Sequence, residues 1–296
     1  MTAASPAPQA PAEAAEAPAE RHRPAPVPAG PAPAAAAAEP TGTPWLRRFH
    51  SAPAGAPRLL VFPHAGGNAS YFFPFSARLA RYADVLVVQY PGRQERFGEP
   101  CVESLHELAD LVAAELTGGG FTDRPYSVFG HSMGSSLAFE VACRLRDAGF
   151  PPAALAVSGR RAPSVPAPGS VHLADDETLI ADMKLLGGTD ERMLDHPELL
   201  AAILPAVRSD YVATETYRFR GAEPLACPVT ALIGDADPRV DEPIALAWRN
   251  HTTGPFRLRS YAGGHFYLVP HLDAVVTELL ADLPQPAGRA PLPTHP

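Results

Sequence analysis

The chain is poor in several residue types, and each scarcity narrows what it can be. Only three cysteines occur in 296 residues, Cys101, Cys143 and Cys227, with no C-x-x-C spacing, so reduced thiols are expected rather than a disulfide framework or a cysteine metal site. No apolar run approaches the 18 or so residues of a membrane span, and no early segment joins a basic start to an apolar stretch; a cytoplasmic protein that avoids membranes is expected. Positive charge is also short. The formal net charge is −8 and Lys184 is the single lysine, while residues 1–48 balance four Glu against four Arg, so the acidity belongs to the remainder and nucleic acid is not an expected partner. Apolar periodicity is missing from the first 40 residues, 27 of which are Ala or Pro. Residues 1–44 are therefore expected to be a disordered tail, and residues 284–296 a shorter Pro-rich one. What remains, residues 45–283, suits one α/β domain carrying an insertion.

What is present is organised around residues 126–138, YSVFGHSMGSSLA. Tyr126, Val128 and Phe129 form an aromatic and β-branched run that enters Gly130-His131-Ser132-Met133-Gly134. Leu137, Ala138, Val141, Ala142 and Leu145 then recur at helical spacing. A G-x-S-x-G sequence between a strand and a helix makes a turn so tight that both flanks favour glycine, and it leaves the serine hydroxyl exposed. Ser132 is thus the candidate nucleophile, and the free N–H groups at the start of the next helix favour a developing negative charge. Ser135 and Ser136 fall inside that helix and read as packing residues.

Along the chain, residues 58–62 (RLLVF) and 85–90 (VLVVQY) read as buried strands. Between them lie His64-Ala65-Gly66-Gly67-Asn68, a turn able to aim a backbone N–H at the nucleophile, and a helical stretch at 71–79. Ser104 is placed to cap an amphipathic helix over 104–116, with Glu107 as its capping-box partner. Further strands are expected at 154–157, 229–233 and 256–261, with helices at 244–248 and 272–283. This alternation implies a doubly wound, mostly parallel sheet with its chemistry at the carboxyl ends of the strands. From 163 to about 228 the rhythm breaks. One amphipathic helix carries Leu179, Ile180, Met183 and Leu186, and a second, from His196, carries Leu199, Leu200, Ile203 and Leu204 until Pro205 kinks or interrupts it. Such an insertion forms either a lid over an apolar substrate channel, with Met183 and Leu186 facing substrate, or a plain helical decoration.

Downstream partners follow in the order Ser132, Asp237, His265, each after a different strand. His265, freed by Gly263-Gly264, would act as general base and acid, and Asp237 would orient it. Asp235 competes for that last role, although Asp237 lies farther past the strand and precedes a proline. His131, with its side chain directed away from the nucleophile's face, His64 and His271 read as structural. The backbone N–H groups of Met133 and Ala65 are the expected oxyanion donors. Arg160 and Arg161, just past another strand, sit on the same rim and could meet an anionic part of a substrate or partner.

PHAGGNASYF at Pro63, QYPGRQER at Gln89, GHSMGSSLAFE at Gly130, SGRRAP at Ser158, GDADPRV at Gly234 and GGHFYL at Gly263 together resemble the type II thioesterases that accompany polyketide synthases and nonribosomal peptide synthetases. The resemblance implies an α/β-hydrolase fold, a mostly parallel central sheet flanked by helices with a helical lid. It further implies hydrolysis of acyl thioesters on the phosphopantetheine arm of acyl or peptidyl carrier protein domains, by Ser132, Asp237 and His265 with Ala65 and Met133 as oxyanion donors. No metal or cofactor of the enzyme's own is implied, and a monomer is expected. Arg208-Ser209-Asp210-Tyr211 stands where the family tends to have R-A-D-Y. A small-molecule carboxylesterase or lipase with the same triad is the alternative function, and a noncatalytic carrier-binding module is a third.

Overall fold

A computed structural model of the chain describes Met1 and residues 41–166, 169–188 and 196–284. The two expected tails fall almost wholly outside the described residues, as do 189–195 of the insertion. Seven strands build one sheet: β1 (Leu46–Arg47), β2 (Arg58–Phe62), β3 (Asp84–Val88), β4 (Tyr126–His131), β5 (Ala154–Ser158), β6 (Val229–Gly234) and β7 (Phe256–Tyr261). Their spatial order is β1-β3-β2-β4-β5-β6-β7. All pairings are parallel except that of β1 with β3. The two-residue β1 had no sequence signal of its own; a strand this short forms only because β3 offers it a free edge.

Parallel strands covered on both faces read as continuous apolar runs, and every residue of β2 to β6 is buried. Period-2 alternation then sends neighbours to opposite cores. Leu60, Phe62, Leu86 and Val88 pack under α2 (Leu105–Gly118) and α3 (Met133–Asp147), whereas Leu59, Val61, Val85 and Val87 pack under α1 (Phe73–Leu79) and the final helix, α7 (Leu272–Ala281). The edge strand β7 is partly exposed, with Arg259 and Ser260 open to solvent.

Local signals set the helix ends. The Ser104 hydroxyl accepts from Glu107 N at the start of α2, one half of the expected capping box. In the insertion between neighbouring strands β5 and β6, Asp175 caps α4 (Asp176–Leu186) by accepting from Thr178 N, and Gly187, at φ 82°, ends it in the left-handed conformation. The next helix, α5 (Pro197–Thr216), continues through Pro205, so of the expected kink or interruption the interruption does not occur. Proline there removes one N–H and frees the carbonyl of the residue four before it. Both Pro205 and Ala201 are exposed, so water can satisfy that carbonyl. A short helix, α6 (Glu242–Leu246), follows β6.

The sheet order reverses between β2 and β4, since β3 lies on one side of β2 and β4 on the other. A crevice at such a switch point opens at the carboxyl ends of the strands. The loops after β2, β4, β5, β6 and β7 all reach that end, bringing Ala65, Ser132, Arg160, Asp237 and His265 together from across the chain.

Candidate active site

Ser132 sits between β4 and α3 at φ 54°, ψ −121°, and is one of two non-glycine residues with positive φ among the described residues. Holding a residue there costs of order 1–3 kcal/mol unless the surroundings over-determine it. Here the flanking glycines do so. A Cβ on Gly130 would lie 2.2 Å from the Gly134 carbonyl oxygen, and one on Gly134 would lie 2.0 Å from that of Phe62, so the turn admits neither. Ser132 N donates to Ser158 O (2.7 Å), and the Ser135 hydroxyl donates to Gly130 O (2.7 Å) and Ser158 O (2.9 Å), tying the turn to β5. Ser135 is thus structural, as its helical position implied.

His265 and Asp237 meet across two loops. His265 Nδ1 lies 2.8 Å from Asp237 Oδ2, the imidazole is 2 % exposed and the carboxylate side chain is wholly buried. A carboxylate only accepts, so Nδ1 carries the hydrogen and the neutral ring keeps a lone pair on Nε2. That Nε2 has no hydrogen-bond partner among the described residues although it is buried, and His265 lines the same cleft as Ser132. Asp237 is positioned in turn by Arg239 N, which donates to its Oδ1 at 2.8 Å. Asp235 serves the loop instead. Its Oδ1 accepts from Gly263 N (2.8 Å), bracing the segment that carries the histidine.

The cleft, about 120 Å³, is also lined by Ala65, Arg160, Met183 and Leu186. Met133 N lies in the first turn of α3, where N–H groups have no intrahelical acceptor, while the Met133 side chain is fully buried in the core. The insertion contributes a small cluster of its own, in which Leu179, Met183, Val207 and Tyr211 pack against Ala65.

Two histidines read as structural in the sequence stand close to this chemistry. His131, expected to point away, packs its ring 5.1 Å from that of His265, and its Nδ1 is 2.9 Å from the Ser158 hydroxyl, which is itself 2.7 Å from the Tyr267 hydroxyl. It sits on the last residue of β4, fully buried among the loops that converge there. His64 lines the cleft beside Ala65 and packs between Tyr71 and Phe266. Burial, followed by the His265 and Arg93 charges, pushes its pKa down to about 3. Burial likewise holds His131 well below the usual imidazole range. Both rings are therefore held neutral beside His265.

Nothing in the sequence signals how the turn carrying Ala65 is held. Asp210, on α5, accepts from Gly66 N at 2.7 Å, and Arg93 grips the same carboxylate with both terminal nitrogens, at 2.6 and 2.9 Å. Arg93 also donates to Gly67 O (3.1 Å), so one buried ion pair locks the PHAGG turn to the insertion. Arg160, expected on the rim beside Ser132, lines the cleft with it, Nε donating to the Ser136 hydroxyl at 2.9 Å. Burial and the nearby Arg161 charge push its pKa down to about 10.

The thioesterase-domain family model matches residues 57–283, which contain every residue of this site. The chain belongs to the thioesterase family. It is 50% identical over 242 residues to a probable cadicidin biosynthesis thioesterase of Streptomyces griseus, covering 82% of this chain and 66% of that protein. It is 52% identical over 225 residues to thioesterase PikA5 of Streptomyces venezuelae, covering 76% and 80%. Among solved structures, the type II thioesterase BorB from the borrelidin biosynthetic cluster superposes with a TM-score of 0.77 at 46% identity, over 81% of this chain and 98% of that one. The fold is therefore that of the α/β-hydrolase thioesterases. All three cysteines are free thiols, and no helix among the described residues is long and apolar enough to cross a membrane.

Proposed function

We propose that this thioesterase is a discrete, type II enzyme that hydrolyses acyl thioesters from the phosphopantetheine arm of carrier proteins in polyketide or nonribosomal peptide assembly, removing stalled or aberrant groups. The observation that carries the reading is His265, which lines the cleft together with Ser132, its Nδ1 held by Asp237 and its Nε2 without a hydrogen-bond partner among the described residues. Nε2 takes the proton of the Ser132 hydroxyl as Oγ attacks the thioester carbonyl carbon. The resulting oxyanion is met by the Ala65 and Met133 N–H groups. His265 then returns the proton to the departing sulfur, leaving an acyl-serine. Water repeats the cycle, with His265 taking its proton and returning it to Ser132 Oγ as the acid leaves. A thiol of pKa about 8.5 is an easier leaving group than an alcohol, so the acid step makes modest demands on the imidazole.

Relatives from biosynthetic clusters support this substrate class. The insertion acts as a lid, with Met183 and Leu186 bounding an apolar acyl channel. The enzyme works as a cytoplasmic monomer without a cofactor, its substrate delivered by the carrier domain. The test compares thiol release from an acyl carrier protein with hydrolysis of a matched oxygen ester, by wild type and Ser132→Ala. Thioester preference is expected, with a loss of about 10³-fold or more in the variant. Undiminished turnover by Ser132→Ala would refute the mechanism, and a preference for oxygen esters would make the protein a carboxylesterase.

A further inference from the structure

A second cavity, of about 410 Å³, adjoins the catalytic cleft and shares Arg160, Arg161 and Thr214 with it. Its walls are the segment after β5, residues 160–166, and the chain leaving α5, where Arg218 stands. Charge distribution sets this cavity apart. Most described arginines, such as Arg48, Arg93 and Arg208, rest on a carboxylate. Among the described residues Arg160, Arg161 and Arg218 have no such partner; their hydrogen bonds go to neutral oxygens. Arg160 donates to the Ser136 hydroxyl, Arg161 to the carbonyls of Pro166 and Arg239, and Arg218 to those of Glu215 and Tyr217. Such partners fix a guanidinium in place without a carboxylate in direct contact to neutralise it. The nearby carboxylates are otherwise engaged, Glu140 by Arg144 and the Tyr217 hydroxyl and Glu215 by His172 with two backbone N–H groups.

Three pre-positioned and unneutralised cations around one cavity make a site for an anion, and guanidinium forks suit phosphate oxygens in particular. Position selects which phosphate. Asp210 ties α5 to the turn that carries Ala65, and Arg218 stands two residues past the end of that helix, lining the second cavity, whereas Ser132 lines the cleft. A ligand lying across the two adjoining spaces would put its reactive carbonyl in the cleft and its negative charge in the second cavity. A phosphopantetheine thioester has that form.

We propose that this cavity is a phosphate subsite in which Arg160, Arg161 and Arg218 hold the phosphate of the phosphopantetheine arm while its thioester lies at Ser132. The assignment rests on the thioesterase function proposed above and adds to it the path by which the arm enters, between the post-β5 segment and the end of α5. It also separates recognition of the arm from recognition of the carrier protein, since the subsite reads a group common to every carrier.

The experiment measures kcat/KM for an acyl-phosphopantetheine and the matching acyl-pantetheine, which differ only in the phosphate, so an acidic carrier surface contributes to neither. Wild type is expected to favour the phosphorylated substrate by about tenfold or more, the scale of one charge-assisted contact, with the preference shrinking as salt rises. Arg218→Gln should bring the ratio toward one, Arg218→Glu should take it below one, and Arg218→Lys should retain part of it. Equal hydrolysis of both substrates by wild type, or a ratio indifferent to the sign of the charge at position 218, would overturn the subsite while leaving the thioesterase reading intact. Turnover of neither thioester, with oxygen esters still hydrolysed, would overturn both.

Discussion

Replacing Asp210 by alanine should damage the enzyme in two separable ways, although the residue touches no reacting atom. Arg93 is 8 % exposed and its terminal nitrogens both face the Asp210 carboxylate, so the variant leaves a buried guanidinium without its counter-charge. Breaking a buried pair from one side costs about 3–5 kcal/mol, a large part of the roughly 5–15 kcal/mol that holds a typical domain together. Gly66 N loses its acceptor as well, which frees the turn that carries Ala65. A displacement of about 1 Å at a positioning group can cost 10²-fold in rate. Urea unfolding and kcat/KM for one thioester would read the two effects. The double variant Arg93→Met/Asp210→Leu removes both charges at similar volume, and should recover about 2 kcal/mol or more of the stability predicted from the sum of the single variants. It should not recover the activity, because Gly66 N still lacks its acceptor. A stability loss under about 1 kcal/mol in Asp210→Ala, together with unchanged kcat/KM, would refute the idea that this pair fixes the oxyanion turn.

Other outcomes follow from the same geometry. Asp237→Asn should lower kcat by about 10³ to 10⁴-fold by presenting the wrong histidine tautomer, whereas Asp235→Asn, which only loosens the Gly263 contact, should cost no more than about tenfold in the same assay. His64 and His131 are held neutral in the folded state, so the unfolded chain binds more protons than the native one below its ordinary imidazole pKa of about 6.5. Stability should therefore be full above that pH and fall as pH drops from about 6.5 toward 3, at up to about 1.4 kcal/mol per pH unit per histidine. Melting temperatures across that range should show a shallower slope in His64→Gln. Gly134→Ala forces a Cβ to within 2.0 Å of the Phe62 carbonyl oxygen and should abolish activity by displacing the elbow, which the same kinetic assay would detect.

How far the fold and the site could be read in advance depended on how local their causes are. The elbow was legible because its requirement, two small flanks around one serine between a strand and a helix, is met within a dozen consecutive residues. The buried strands announced themselves as apolar runs, and the cap at Ser104 as a single polar residue before an amphipathic helix. Position after successive strands nominated Asp237 and His265, whose side chains the fold pairs, whereas Asp235 meets the Gly263 backbone. Long-range packing was not legible. Asp210 reaches Gly66 across 144 positions, and nothing around either residue hints at the other. The same holds for His131, whose burial against His265 depends on loops from distant parts of the chain meeting. Strand β1 has two residues and no pattern of its own. Pro205 carried a local warning of a break, but the helix continues where its exposed face lets water reach the freed carbonyl.

The central claim is that Ser132 carries the acyl group during turnover. Intact-protein and peptide mass spectrometry, after rapid quenching with a slowly deacylated thioester, would test it directly. The account predicts the mass of one acyl group on the peptide containing Ser132 and none in Ser132→Ala. Full turnover with no acyl group on that serine, or an unimpaired Ser132→Ala enzyme, would contradict it.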